Sequence, residues 1–132
     1  MTPELFWLTM TALLAASMWL PFIIGVNTVG MPMPSENRPP DIAQAPPWIH
    51  RAWRAHLNLL EQFLPFAVIV LISHLAGIST PLTSAAAMAF FFIRVIHAVW
   101  MIAGLPVLPV RPILFTLGWV AICTIGGAVL LT

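Results

Sequence analysis

Two short segments concentrate the residues able to do chemistry: Arg51, Arg54, Asn58 and Glu61 in one, Arg94 and His97 in the other. Successive residues of an α-helix turn by about 100°. With Arg54 at the origin, Asn58 falls at about +40°, Glu61 at about −20° and Arg51 at about +60°, so all four share an arc of roughly 80°. The stripe covers about 15 Å of helix axis. Arg94 and His97 are i,i+3 neighbours on one face of their own helix. A pocket lined by both helices would set guanidinium, imidazole and amide groups against a single carboxylate. That suits a small anion with an amine-bearing part. The same residues also allow a purely structural reading. Glu61 would then neutralise Arg54 or Arg94 inside the protein, and Asn58 would only bond a neighbouring helix.

The elements that carry these residues are membrane helices. Of 132 residues, 61% are hydrophobic and 7% are charged, whereas a soluble domain carries about 25% charged residues. Such a chain cannot cover a soluble surface. One all-α domain over 1–132 is expected, a four-helix transmembrane bundle. Crossing about 30 Å of hydrocarbon takes about 20 apolar residues. The spans fall at about 5–26, 47–75, 82–103 and 112–131. The first carries Pro21 near its end and no charge. The second reaches about 43 Å, so its first turns protrude from the hydrocarbon. Residues 27–46 form a long polar loop, broken by Pro32, Pro34, Pro39 and Pro40. Thr80-Pro81 reads as a helix start, and Gly126-Gly127 permits close helix approach. The opening MTPELFWLTM lacks the positive region and cleavage site of a secretory signal, so the first span is expected to be retained.

Ionisable groups within a span are costly and mark function by default. Arg38, Arg51, Arg54 and Arg111 lie in or beside the first and third loops. Those loops are therefore expected in the cytoplasm, with both termini on the opposite side. The net charge of +1 leaves no clustered basic face for nucleic acid. Cys123 sits in an apolar run and reads as an inert thiol. Met31, Met33 and Met101 have no Cys or His at ligand spacing, so no metal is expected. His74 reads as an interface residue and His50 as solvated. The Trp residues gather near span ends, as an aromatic belt does.

The segment Arg51-Ala52-Trp53-Arg54-Ala55-His56-Leu57-Asn58-Leu59-Leu60-Glu61-Gln62-Phe63-Leu64-Pro65 resembles the second helix of the MAPEG family, membrane-associated proteins of eicosanoid and glutathione metabolism. The shared pattern is Arg-Ala, then Asn, Glu and Pro at this spacing. Arg94 to Pro106 is similar to the third helix of bacterial members. The resemblance implies a homotrimer in a bacterial inner membrane. It also implies glutathione as co-substrate between protomers, held by Arg54, Asn58, Glu61 and Arg94, with Arg51 nearby. Arg111 takes the place of the arginine that activates the glutathione thiol. A free thiol has a pKa near 8.5, so little of it is thiolate at neutral pH. A cation beside the sulfur shifts that balance. Gln62 and Met101 stand where the family often has Tyr, and the loop before Arg111 is about two residues longer than usual.

Two functions follow from the resemblance. One is a glutathione transferase or peroxidase-like membrane enzyme acting on hydrophobic electrophiles that arrive through the lipid. The other is a non-catalytic, lipid-binding or accessory subunit of a membrane complex.

Overall fold

The computed structural model describes residues 1–32, 34, 36–38 and 41–132. Met33, named above, and part of the long loop lie outside them. Five helices follow in order: α1 (Pro3–Ser17), α2 (Leu20–Thr28), α3 (Pro47–Leu75), α4 (Pro81–Ala103) and α5 (Val110–Leu130). There is no strand among the described residues. Four units, α1 with α2, α3, α4 and α5, are each long and apolar enough to cross a membrane.

The first unit differs from a single span over 5–26. It starts at Pro3 and is interrupted between Ser17 and Leu20. Pro21 is the physical reason, because it has no N–H to donate to the Ser17 carbonyl and its ring crowds that turn. Thr2 caps the start of α1, accepting from the Leu5 amide at 3.4 Å. The two-residue shift at the start brings Glu4 into the bundle.

Glu4 is only 2% exposed. Its carboxylate accepts the hydroxyls of Ser79 (2.9 Å), Ser84 (2.8 Å) and Thr83. Thr80 and Thr83 close a reciprocal capping box at the start of α4. One carboxylate thus fastens the beginning of α1 to the beginning of α4, where it also faces the positive end of the helix dipole.

α3, α4 and α5 pack against one another, and α1 packs on both α3 and α4. Beyond the Glu4 end, Phe66, Val70, Ala87, Phe90 and Ile125 form an apolar core. The Phe66 and Phe90 rings stack there with centroids 4.0 Å apart. Ala15, Ala55, Leu59 and Ala98 form the next layer. At the far end, Phe22, Val26, Ile49 and Ala52 join α2 to α3. Small residues at 52, 55, 87 and 98 let the helices approach closely. The functional groups sit between and beyond these apolar layers.

Candidate functional site

Arg94 lies inside the bundle, between Phe90 and Ala98 on α4, and is 1% exposed. No carboxylate among the described residues lies within ion-pair distance of it. Its Nη1 donates to Gln62 Oε1 at 3.0 Å, and its Nη2 donates to Asn58 Oδ1 at 3.3 Å. Gln62 in turn donates from Nε2 to the Phe115 carbonyl at 2.8 Å. The amide is thus used at both ends, its oxygen toward the cation and its nitrogen toward a carbonyl. Gln62 ties α3 to α4 and α5 at once. Gly118 makes this contact fit, since a Cβ there would stand 2.5 Å from Gln62 Oε1. Arg94 Nε has no partner among the described residues.

Two cavities flank the first turn of α5. A more enclosed one, of about 280 Å³, is lined by Arg51, His97 and Arg111, with Trp100, Met101 and Leu114 among its apolar walls. An open groove, of about 370 Å³, is lined by Asn58, Glu61 and Arg111, with Phe115 and Thr116 beside them. Arg111 and Val107 border both, so Arg111 stands at the partition. Arg51 is held in place by Nε donating to the Ile102 carbonyl at 3.3 Å, near the end of α4. Gly104 adopts φ +74°, and a Cβ there would lie 2.8 Å from the Arg51 guanidinium carbon. Glycine is needed at 104 for both the backbone turn and the arginine. His97 is 1% exposed, and both its ring nitrogens are buried and without a hydrogen-bond partner among the described residues.

The chain divides the stripe on α3 that the angular count joined. Asn58 turns inward to Arg94, whereas Arg54 and Glu61 are exposed on the outer flank. Arg51 and Glu61 line different cavities, and Arg54 lines neither. Within one protomer, then, these groups do not converge on a single pocket. The neutralising pair of the structural reading is also not formed. Among the described residues the ion pair present is Arg38 with Glu36, on the loop. Glu4 was not singled out from sequence, and Gln62 was read only as standing where the family often has Tyr. Gln62 gave a usable signal, four residues after Asn58 and on the same side of the helix.

A model of the MAPEG family matches residues 6–131. The chain belongs to the MAPEG family. It is therefore an integral membrane protein of the family of eicosanoid and glutathione metabolism. No curated protein matches it. This MAPEG protein carries no tyrosine. Where the family often has phenols, Gln62 is consumed in holding Arg94 and α5, and Met101 lines the enclosed cavity.

Proposed function

We propose that this MAPEG protein is a glutathione-dependent membrane enzyme, transferase or peroxidase-like, that conjugates or reduces hydrophobic electrophiles. The observation that carries the reading is the position of Arg111, between a groove bearing a free carboxylate and a chamber bearing a second guanidinium. Glutathione has an amine, two carboxylates and a thiol. Glu61 and Asn58 suit the amine end. Arg51, Arg54 and His97 are the candidates to meet the carboxylates, while Arg94, buried and bonded to Asn58 and Gln62, holds Asn58 in place from inside the bundle. Arg111 then stands beside the sulfur and stabilises the thiolate, each unit of thiol pKa being worth about 1.4 kcal/mol. The thiolate attacks an electrophile delivered from the bilayer.

The reading includes a homotrimer. Glu61 lies about 21 Å along α3 from its start, deep in the span. A charge at that depth does not face acyl chains. Its exposure in one protomer, beside that of Arg54, is relieved by a neighbouring copy that completes the groove. The arginines favour the cytoplasmic face for this end of the bundle, with both termini across the membrane, and the resemblance to bacterial members favours a bacterial inner membrane. No metal is required by the chemistry.

The test is conjugation of an aryl halide by the detergent-purified oligomer. Wild type should exceed both Arg111→Ala and the buffer blank, the variant losing at least about tenfold, equivalent to about 1.4 kcal/mol. Equal rates in all three refute the enzyme. A second reading, an accessory subunit without turnover, draws on the missing phenols. It gains if the protein purifies in mild detergent with another membrane protein and binds no glutathione.

A further inference from the structure

We propose that the link between α4 and α5, Gly104 to Pro109, is a lipid-docking surface that seats at the boundary between headgroups and acyl chains. Its sequence is Gly104-Leu105-Pro106-Val107-Leu108-Pro109, without one polar side chain. The other two links between spans differ. Residues 29–46 bring Glu36, Arg38, Asp41 and Gln44, and the turn at 76–80 brings Ser79 and Thr80. Leu108 is 75% exposed and Val107 53%, with Leu105 exposed beside them. A contiguous exposed apolar patch marks a surface made for lipid or protein.

The backbone of the link suits the same place. Acyl chains offer no hydrogen bonds, so backbone polar groups that approach them must be satisfied within the protein. Pro106 and Pro109 have no N–H to satisfy. The Gly104 and Leu105 amides donate to the Met101 and Trp100 carbonyls at 3.2 and 3.3 Å, closing the end of α4. The Pro106 carbonyl accepts from Trp100 Nε1 at 2.9 Å. The Val107 and Pro109 carbonyls accept from the Arg111 and Ile113 amides at 3.0 and 3.3 Å. The Val107 and Leu108 amides have no such partner among the described residues. Water at headgroup level serves them, which sets the seat at the boundary and not in the acyl interior.

Position on the bundle names the partner. The link joins the ends of two membrane spans, so it lies where the bilayer ends. α4 and α5 reach it with exposed apolar side chains, Val99 before it and Ile113 after it. Trp100 and Arg111 flank it, an amphipathic ring and a long cation that both suit headgroup level. Lipid already surrounds both spans, and the same lipid covers the link. Leu105 and Val107 also line the enclosed cavity, and Val107 borders the open groove. With lipid on their outer side, these two residues form a wall between the leaflet and the cavities. The seat does not depend on what the cavities bind.

Nitroxide labels read the seat directly. Leu108→Cys, Val99→Cys and Glu36→Cys are made singly with Cys123→Ala, labelled, and reconstituted in vesicles of phosphatidylcholine and phosphatidylglycerol. Dissolved oxygen concentrates in lipid and a nickel chelate stays in water, so the ratio of their collision rates reports depth. The label at 108 should favour oxygen over nickel, with a ratio between that at 99, in the acyl region, and that at 36, in water. A label at 108 as open to nickel as the one at 36 overturns the proposal. So does a label at 108 that meets neither reagent, as beneath a second copy or another protein. The unsubstituted protein gives an independent reading. A phospholipid bearing a diazirine near its glycerol should, on illumination, leave adducts on residues 105–108, as one bearing it on the acyl chain leaves them on Val99. Adducts at Val99 with none on the link overturn the proposal whatever the labels report.

Discussion

Arg94 shows how a guanidinium is kept inside an apolar bundle without a direct ion pair. Two neutral amide oxygens, from Asn58 and Gln62, take the place of a carboxylate. Removing one of them leaves buried donors unsatisfied, which costs about 1–3 kcal/mol or more for a charged group. Gln62→Leu strands Arg94 Nη1 and releases α5 at Phe115. It should lower stability by about 2–3 kcal/mol, read as an earlier thermal unfolding transition in detergent. An unchanged transition would mean that Gln62 does not hold the three helices. The polar face of α3 was legible from helical period alone, because charged residues in a span must share a side. The period could not divide that face. Asn58 and Arg54 are only about 40° apart, yet one is inside and the other outside. The division depends on where α4 lies. Gln62 was read as a missing phenol because its partners, the Phe115 carbonyl and the space at Gly118, are far away in the chain.

At the scale of elements, hydrocarbon thickness made the helices legible, as it dictates how long an apolar segment must be. Proline and glycine marked most of their ends. The break before Pro21 divides the first unit for the same reason, where one continuous span over 5–26 was expected. Glu4 escaped notice because the first span was read from Leu5. A charge at the edge of a span is ordinarily solvated, and only the approach of Ser79, Thr83 and Ser84 makes it structural. Without it Thr83 keeps the Thr80 carbonyl at 3.0 Å, whereas Ser79 and Ser84 lose the acceptor they have among the described residues. Glu4→Ala should therefore cost about 2–3 kcal/mol, with protease access to the turn at 76–80 as the local readout. Glu4→Gln, which keeps an acceptor oxygen, should cost less. If Ala and Gln behave alike, the carboxylate is not what joins the two helix starts.

At the scale of the whole molecule, composition alone placed the chain in a membrane, since its few charges cannot cover a soluble surface. What one chain leaves open is the outer flank of α3. Arg54 and Glu61 share it with Leu64, Val68 and Leu71, all exposed. Lipid suits the apolar members of that face and not the charged ones. A second copy suits both, and it would bring Arg54, which lines neither cavity of its own chain, to a groove. Under the proposed function glutathione binds where Arg111 divides the two cavities, with Glu61 and Arg54 as partners across protomers. The most direct measurement is calorimetric titration of glutathione into the detergent-purified protein, repeated with Glu61→Gln and Arg54→Ala. A dissociation constant between micromolar and low millimolar is expected for wild type, with binding lost in both variants. Wild type that binds nothing, or variants that bind as wild type does, would contradict it.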